Sequence, residues 1–176
     1  IAVARERSSP TLESYLVAAR LRFENSGKFM TREMSVDGKQ RFGNEFHFTD
    51  EELEKYRVYV REDGRLIEAD GHLFDSSSGR AWTDPREPTA IFVMDESGQF
   101  YTSTYRELNR FHHSTLVNGR AVAAAGEWIV IDGILTEYRN KSGHYPFGID
   151  FAAQGLASLE LNGVSLGSVK YDFNSK

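Results

Sequence analysis

A hairpin signal in residues 121–138 constrains the fold of this chain more than any other stretch. Residues 121–131 are apolar and rich in β-formers, Asp132-Gly133 is a dipeptide typical of tight turns, and residues 134–138 resume the β pattern. Because the two strands are antiparallel, their outer ends lie side by side, remote from the turn. We therefore expect the polar segments that flank the hairpin to meet at one end of a sheet.

The rest of the chain predicts short helices and further strands. Ser9-Pro10 and the pair Thr49 and Glu52 have the pattern of helix starts, and residues 148–161 predict a later helix. Strand patterns lie at residues 56–60, 66–69, 90–94, 99–104 and 167–173. We expect an α+β fold with a mostly antiparallel sheet and two or three short helices. Residues 1–8 are predicted to be frayed and 9–176 to form a single globular domain.

Composition excludes several classes of function. The 176 residues contain no cysteine, which rules out disulfides, thiolate catalysis and Cys-ligated zinc within them. A net charge of −5 without a basic run argues against nucleic-acid binding. No apolar run approaches the roughly 20 residues that a membrane span needs. Since the sequence starts at Ile1, we expect an excised domain or a processed chain.

Two adjacent histidines precede the hairpin. If residues 111–114 continue a strand, Phe111 and His113 share one face, and His112 and Ser114 share the other. Because the apolar Phe111 should face the core, His112 and Ser114 are the predicted exposed polar pair. The alternative for either histidine is a buried ring that is hydrogen-bonded to the backbone.

Glu127 is the next candidate, because it lies in a strongly apolar strand beside Trp128. A carboxylate in such surroundings needs a partner or a function. Gly126 thins the strand and would let a ligand approach the backbone. The alternative is a side chain that faces solvent, which the alternation of Glu127 with Trp128 and Val130 also allows.

A polar loop that contains Ser142, His144 and Tyr145 follows the hairpin and leads into the last helix. Backbone N–H groups at a helix start suit a phosphate or carboxylate group. The alternative is a structural turn in which Tyr145 packs on the sheet. His112, His144 and Glu127 have the right types of side chain to bind a metal ion, but no tight ligand spacing supports such a site, so we expect no metal.

Residues 90–173 resemble a block of the plant IQ-motif calmodulin-binding proteins, whose fungal and bacterial relatives include toxin- and effector-like proteins. The resemblance rests on an ordered set of short motifs, FHHSTL at 111–116, AGE at 125–127, DG at 132–133 and SGHYP at 142–146. The IQ motif itself does not occur in this sequence, so the resemblance does not imply calmodulin binding. It implies a shared fold and site more than an activity.

A second resemblance concerns the ADP-ribosyltransferase toxins. The string FYTSTY at 100–105, which includes Ser103, is similar to their aromatic-Ser-Thr-Ser strand, although its last residue is Tyr and no Glu-x-Glu or Gln-x-Glu follows. In that fold an Arg or His holds NAD, and a Glu stabilises the developing ribosyl cation. The resemblance thus implies an ADP-ribosyltransferase-like fold, with Glu127 and His112 or His113 in these roles.

The leading hypothesis from the sequence is a bacterial effector or toxin domain that is secreted into a target cell and acts on NAD. It would transfer ADP-ribose to a target-cell protein or hydrolyse NAD, with Glu127 stabilising the transition state, His112 or His113 holding the ribose or diphosphate, and Tyr145 stacking on nicotinamide. The other predicted binding residues are Ser103, Ser114, Ser142 and His144. The main alternative is a non-catalytic effector module that binds a host protein or small ligand in the same pocket. A metal-free hydrolase of another bond is the third.

Overall fold

The computed structural model describes residues 14, 16–19, 47–81, 84–107, 110–140 and 149–173. These residues form a sheet with the strand order β2-β1-β4-β3-β5-β6-β7. The strands are β1 (Arg57–Val60), β2 (Leu66–Glu68), β3 (Ala90–Met94), β4 (Phe100–Ser103), β5 (Ala124–Ile131), β6 (Ile134–Arg139) and β7 (Lys170–Asp172). The helices are α1 (Asp50–Leu53), α2 (Ile149–Leu161) and the 3₁₀ helices Glu54–Tyr56 and His113–Val117. Among these strands only β6 and β7 pair in parallel, so the predicted α+β class is confirmed.

The predicted hairpin is β5 and β6. Its turn residues Asp132 and Gly133 have φ values of 50° and 77°, as a two-residue type I′ turn requires. The first strand begins at Ala124, a few residues later than the sequence indicates. A register shift between Ile129 and Val130 marks an irregularity in β5.

The start of α1 is also as predicted. The backbone N–H of Thr49 donates to the Glu52 carboxylate at 2.8 Å, and the backbone N–H of Glu52 donates to the Thr49 hydroxyl at 3.2 Å. These two bonds satisfy donors that a helix start leaves without partners. Residues 1–8 and most of the first predicted helix lie outside the described residues, although Leu16 and Ala19 are helical and buried.

One face of the sheet packs against α2. Trp128, Tyr138 and Phe92 form the centre of this core, with the Phe92 ring 4.5 Å from Trp128 and 5.0 Å from Tyr138. The Tyr138 hydroxyl donates to the carbonyl of Ala152 in α2 at 3.2 Å. A Cβ on Gly155 would lie 2.3 Å from that hydroxyl. The glycine therefore lets the helix approach the sheet closely.

The 3₁₀ helix His113–Val117 packs on the opposite face, where Phe111, Leu116 and Val117 belong to a second buried cluster. The predicted strand at residues 111–114, with His112 and Ser114 exposed, is therefore wrong. His113 and Ser114 are both buried at 8% exposure, and His112 is half-buried. The expected alternation does not occur because side chains on a 3₁₀ helix repeat about every three residues.

Candidate functional site

A row of residues crosses the second face of the sheet at the end of the hairpin remote from its turn. Ser103 pairs with Ile91, and Ile91 pairs with Glu127. Glu127 pairs in turn with Arg139 on β6. Directly paired residues on neighbouring strands present their side chains to the same face. The row therefore places Glu127 between the hydrophobic Ile91 and the basic Arg139.

Glu127 forms a buried ion pair with Arg106, which follows β4. The Arg106 Nη1 donates to the Glu127 Oε1 at 2.9 Å, and the two side chains are 8% and 13% exposed. The Nη2 of Arg106 donates to the carbonyl and the hydroxyl of Thr89 at 3.1 and 3.0 Å. A buried carboxylate needs such a counter-charge. The alternative in which Glu127 faces solvent is therefore wrong.

Arg139 binds two further carboxylates beside this pair. Its Nη1 donates to Glu87 at 2.5 Å, and its Nε donates to Glu137 at 2.8 Å. Only 5% of the Arg139 side chain is exposed. The hydrogen bond with Glu87, followed by that with Glu137, raises the pKa of Arg139 above its usual value. The guanidinium is therefore charged, and it ties β6 to the segment that precedes β3.

His113 approaches the same region from the 3₁₀ helix. Its Nε2 lies 2.7 Å from the backbone carbonyl oxygen of Gly126. Because a carbonyl only accepts, this nitrogen carries a proton and donates. The alternative of a buried ring that is hydrogen-bonded to the backbone therefore holds for His113. His112 is the N-cap of the helix, and its backbone N–H donates to the Thr115 hydroxyl at 2.9 Å.

Position 126 has room only for a glycine, because the neighbouring strand β6 lies very close to it. A Cβ at this position would lie 1.8 Å from the backbone carbonyl oxygen of Arg139. The close approach that the sequence assigned to a ligand is therefore made by β6. Ser103 also has a local role, since its hydroxyl accepts from the Tyr105 N–H at 3.0 Å and donates to the Tyr105 carbonyl at 2.9 Å.

The structure brings together part of the predicted pocket. His113 contacts the residue before Glu127, so the segments before and within the hairpin do meet. Ser142, His144 and Tyr145 lie outside the described residues. Their place in the pocket therefore stays a prediction, as do the catalytic roles of Glu127, His112 and His113.

Sequence reasoning missed the arginines. Arg106 lies in a stretch after β4 with no periodic pattern, and its partner Glu127 is 21 positions away. For Arg139 a signal existed, because Glu137 and Arg139 alternate with the apolar Tyr138 and must share one face of β6. Within the part of the chain that the structure describes, no three His, Asp or Glu side chains converge as a metal site would require. The described helices include none with the length and apolarity of a membrane span.

Comparison with known proteins places the chain in a family. The family model of the IQ motif-containing protein middle domain matches residues 52–148. The Arabidopsis thaliana IQ domain-containing protein IQM1 is 34% identical over 119 residues, which cover 68% of this chain and 22% of the relative. The protein IQM3 from the same plant is 33% identical over 124 residues, which cover 68% of this chain and 25% of that relative. The chain thus spans about a quarter of these relatives or less, and no solved structure matches it.

These matches correct the functional hypothesis. The relatives are plant proteins, so the interpretation as a bacterial toxin or effector that is secreted into a target cell is wrong. Neither the family nor a solved structure supports an ADP-ribosyltransferase-like fold. NAD as a substrate stays a prediction that these findings leave untested. The resemblance to the plant IQ-motif proteins is confirmed, and the chain belongs to the family of the IQ motif-containing protein middle domain.

Proposed function

We propose that this chain is a protein-binding domain of an IQ-motif protein, in which Glu127 supports a binding surface and carries out no reaction. The observation that carries this proposal is the buried ion pair between Glu127 and Arg106. A general base or a cation-stabilising carboxylate must reach its substrate. Glu127 is 13% exposed, and its Oε1 accepts a hydrogen bond from Arg106.

The ion pair fixes the segment that follows β4. Arg106 reaches from this segment to Thr89, which directly precedes β3, and to Glu127 on β5. Farther along the segment, the backbones of Glu107 and Phe111 form an isolated bridge, with hydrogen bonds of 3.1 and 2.9 Å. A segment held at both places presents its outward side chains in one arrangement. Such preorganisation lowers the entropy cost of binding a partner.

The family is consistent with a binding role. Its name refers to an IQ motif, yet the dipeptide Ile-Gln does not occur in these 176 residues. We therefore do not assign calmodulin, the partner that an IQ motif implies, to this chain. The domain itself would bind a different protein.

Affinity capture from Arabidopsis extract tests this function when each captured protein is purified and recombined with the purified chain. We expect at least one plant protein to form a complex of fixed stoichiometry with the chain. Purified calmodulin should not bind, with or without Ca²⁺. In the same preparations, incubation with NAD should release no nicotinamide. Release of nicotinamide by the wild type, lost in a folded Glu127→Gln variant, would contradict the proposal.

A further inference from the structure

Four aromatic rings form a connected surface next to the anchored segment. Phe111 is buried at the base, with 1% exposure, and Tyr105 stands at the rim with 51% exposure. Their ring centroids are 5.3 Å apart. Phe48 and Tyr56 are half-buried and lie 6.1 and 5.5 Å from Phe111. We call Phe48, Tyr56, Tyr105 and Phe111 the aromatic surface.

Carboxylates border the aromatic surface. The Tyr105 hydroxyl donates to Glu107, and this bond is the first cause of the raised pKa of Tyr105. Burial raises the pKa of Tyr56, and the negative charge of Glu52, four positions earlier in the chain, raises it further. Residues 50–56 contain four carboxylates and one lysine. The region therefore has a negative potential beside exposed aromatic carbon.

Basic groups offset only part of this charge. The Arg110 Nη1 lies 3.4 Å from Glu107, and the Arg57 Nη1 lies 3.7 Å from Glu54. Both separations are longer than those of the buried pairs, and the Arg110 and Glu107 side chains are 48% and 37% exposed. Exposed pairs of this kind contribute little to stability, because water and salt screen them. A cation from a partner can therefore compete for Glu107.

The contacts of Arg106 and Ser103 position Tyr105 and Glu107 at the rim of the aromatic surface. Arg106 lies between Tyr105 and Glu107 in the chain, and its side chain is directed to the sheet and buried. The hydroxyl of Ser103 holds the backbone of Tyr105 at 2.9 to 3.0 Å. Tyr105 and Glu107 thus remain together on the outer side of the segment, where they share a hydrogen bond.

We propose that the aromatic surface binds a basic segment of a partner protein, with an Arg or Lys side chain on the Tyr105 ring and beside Glu107. This inference rests on the proposed function and names the surface and partner chemistry. Cations are attracted to aromatic faces, and a neighbouring carboxylate strengthens the contact. The surrounding carboxylates steer a basic segment toward the rings and repel an acidic one.

Fluorescence anisotropy with short labelled peptides tests the inference. The probe is a peptide of Arg, Leu and Ala, compared with the same peptide carrying Gln or Glu in place of each Arg. We expect only the Arg peptide to bind, and more weakly at high salt. Tyr105→Ala should weaken this binding about five- to tenfold, whereas Tyr105→Phe keeps the ring and should bind as well as the wild type.

Matched variants separate this surface from general effects. Glu107→Gln should weaken binding about two- to fivefold at low salt. Glu96→Gln, at an exposed carboxylate in the β3–β4 turn, and Ile134→Ala, at an exposed apolar residue near the hairpin turn, should change nothing. Circular dichroism establishes that each variant is folded, and Glu107→Gln remains informative if Tyr105→Ala does not fold.

Two results would overturn the inference. The first is equal binding of the Arg and Glu peptides, and the second is equal binding of the Arg peptide by the wild type and a folded Tyr105→Ala variant. If a reconstituted plant partner binds Tyr105→Ala as well as the wild type, this surface is refuted while the protein-binding function stands. If the chain releases nicotinamide from NAD and no partner is found, both are refuted.

Discussion

Replacing Glu127 by Gln distinguishes a structural carboxylate from a catalytic one. If the carboxylate were catalytic, this change would lower the rate, and the stability of the fold would hardly alter. The structure predicts instead that the change mainly lowers the stability of the fold, because Glu127 is the counter-charge of the buried Arg106. The amide keeps the shape of the side chain but leaves that guanidinium without a neutralising partner.

The burial of the Glu127–Arg106 ion pair determines how much stability the change should cost. Both side chains are less than one-seventh exposed, at 8% and 13%, so solvent screens their interaction only weakly. Removing one member of a buried pair costs about 3–5 kcal/mol. The carbonyl oxygen of the new amide can still accept a hydrogen bond from Arg106, which also keeps its bonds to Thr89. We therefore expect the lower end, a loss of about 3 kcal/mol in the free energy of unfolding.

Urea denaturation followed by tryptophan fluorescence measures this loss, since Trp128 is fully buried in the core. The control is Glu62→Gln, at an exposed carboxylate in the β1–β2 turn, which should change the free energy of unfolding by less than about 0.5 kcal/mol. Changing Arg106 to Met together with Glu127 to Leu should recover most of the stability, because a well-packed apolar pair replaces the buried ions. A loss below about 0.5 kcal/mol for Glu127→Gln would refute the structural role of the pair.

Three further predictions concern the sheet and its turns. Gly126→Ala should lower the free energy of unfolding by about 2 kcal/mol or more, since its Cβ would lie 1.8 Å from the Arg139 carbonyl oxygen; a near-neutral change in urea denaturation would show that the strands separate easily. Tyr138→Phe loses the hydrogen bond to the Ala152 carbonyl and should cost about 1 kcal/mol in the same assay; unchanged stability would argue against that bond. The carboxyl of Asp63 should titrate by NMR with a pKa of about 2, chiefly because a neighbouring guanidinium donates to it. The ionised Asp63 carboxylate then stabilises the fold fully above about pH 4, its pKa in the unfolded state, and this stabilisation is lost as the pH falls toward 2. Titration of Asp63 near pH 4 would contradict this prediction.

The elements that the sequence predicts well are those fixed by neighbours in the chain. Asp132-Gly133 adopts the positive φ angles of a type I′ turn, and these residue types tolerate them. The capping bonds between Thr49 and Glu52 span three positions. Each signal lies in a few consecutive residues, so it can be read without knowing the rest of the fold.

The elements that the sequence predicts poorly depend on distant contacts. The 3₁₀ helix is capped by Asn118, which has a left-handed φ of 50° and a side chain that donates to the Phe48 carbonyl, 70 positions away. Nothing in residues 111–114 alone reveals that contact, and their polar and apolar residues also fit a strand. The arginine that pairs with Glu127 was missed for the same reason.

The string FYTSTY, which suggested the resemblance to ADP-ribosyltransferases, carries hydroxyl groups with structural partners. The Thr102 hydroxyl donates to the Ile91 carbonyl at 2.8 Å and accepts from the Trp128 indole at 2.9 Å. The hydroxyl of Ser103 binds the backbone of Tyr105. These hydroxyl groups satisfy buried polar atoms and turn the chain, which gives the string a structural explanation without NAD.

Two of the motifs that carry the family resemblance, FHHSTL and AGE, contact each other. His113 of the first motif donates to the carbonyl of Gly126 in the second. Glu127 in the second holds Arg106, and thereby the segment that bears Tyr105. The Tyr105 ring in turn contacts the ring of Phe111, the first residue of the first motif. The exposed side chain among these linked residues is that of Tyr105, at 51% exposure. Exposed aromatic residues on a fixed support are typical of binding sites in proteins.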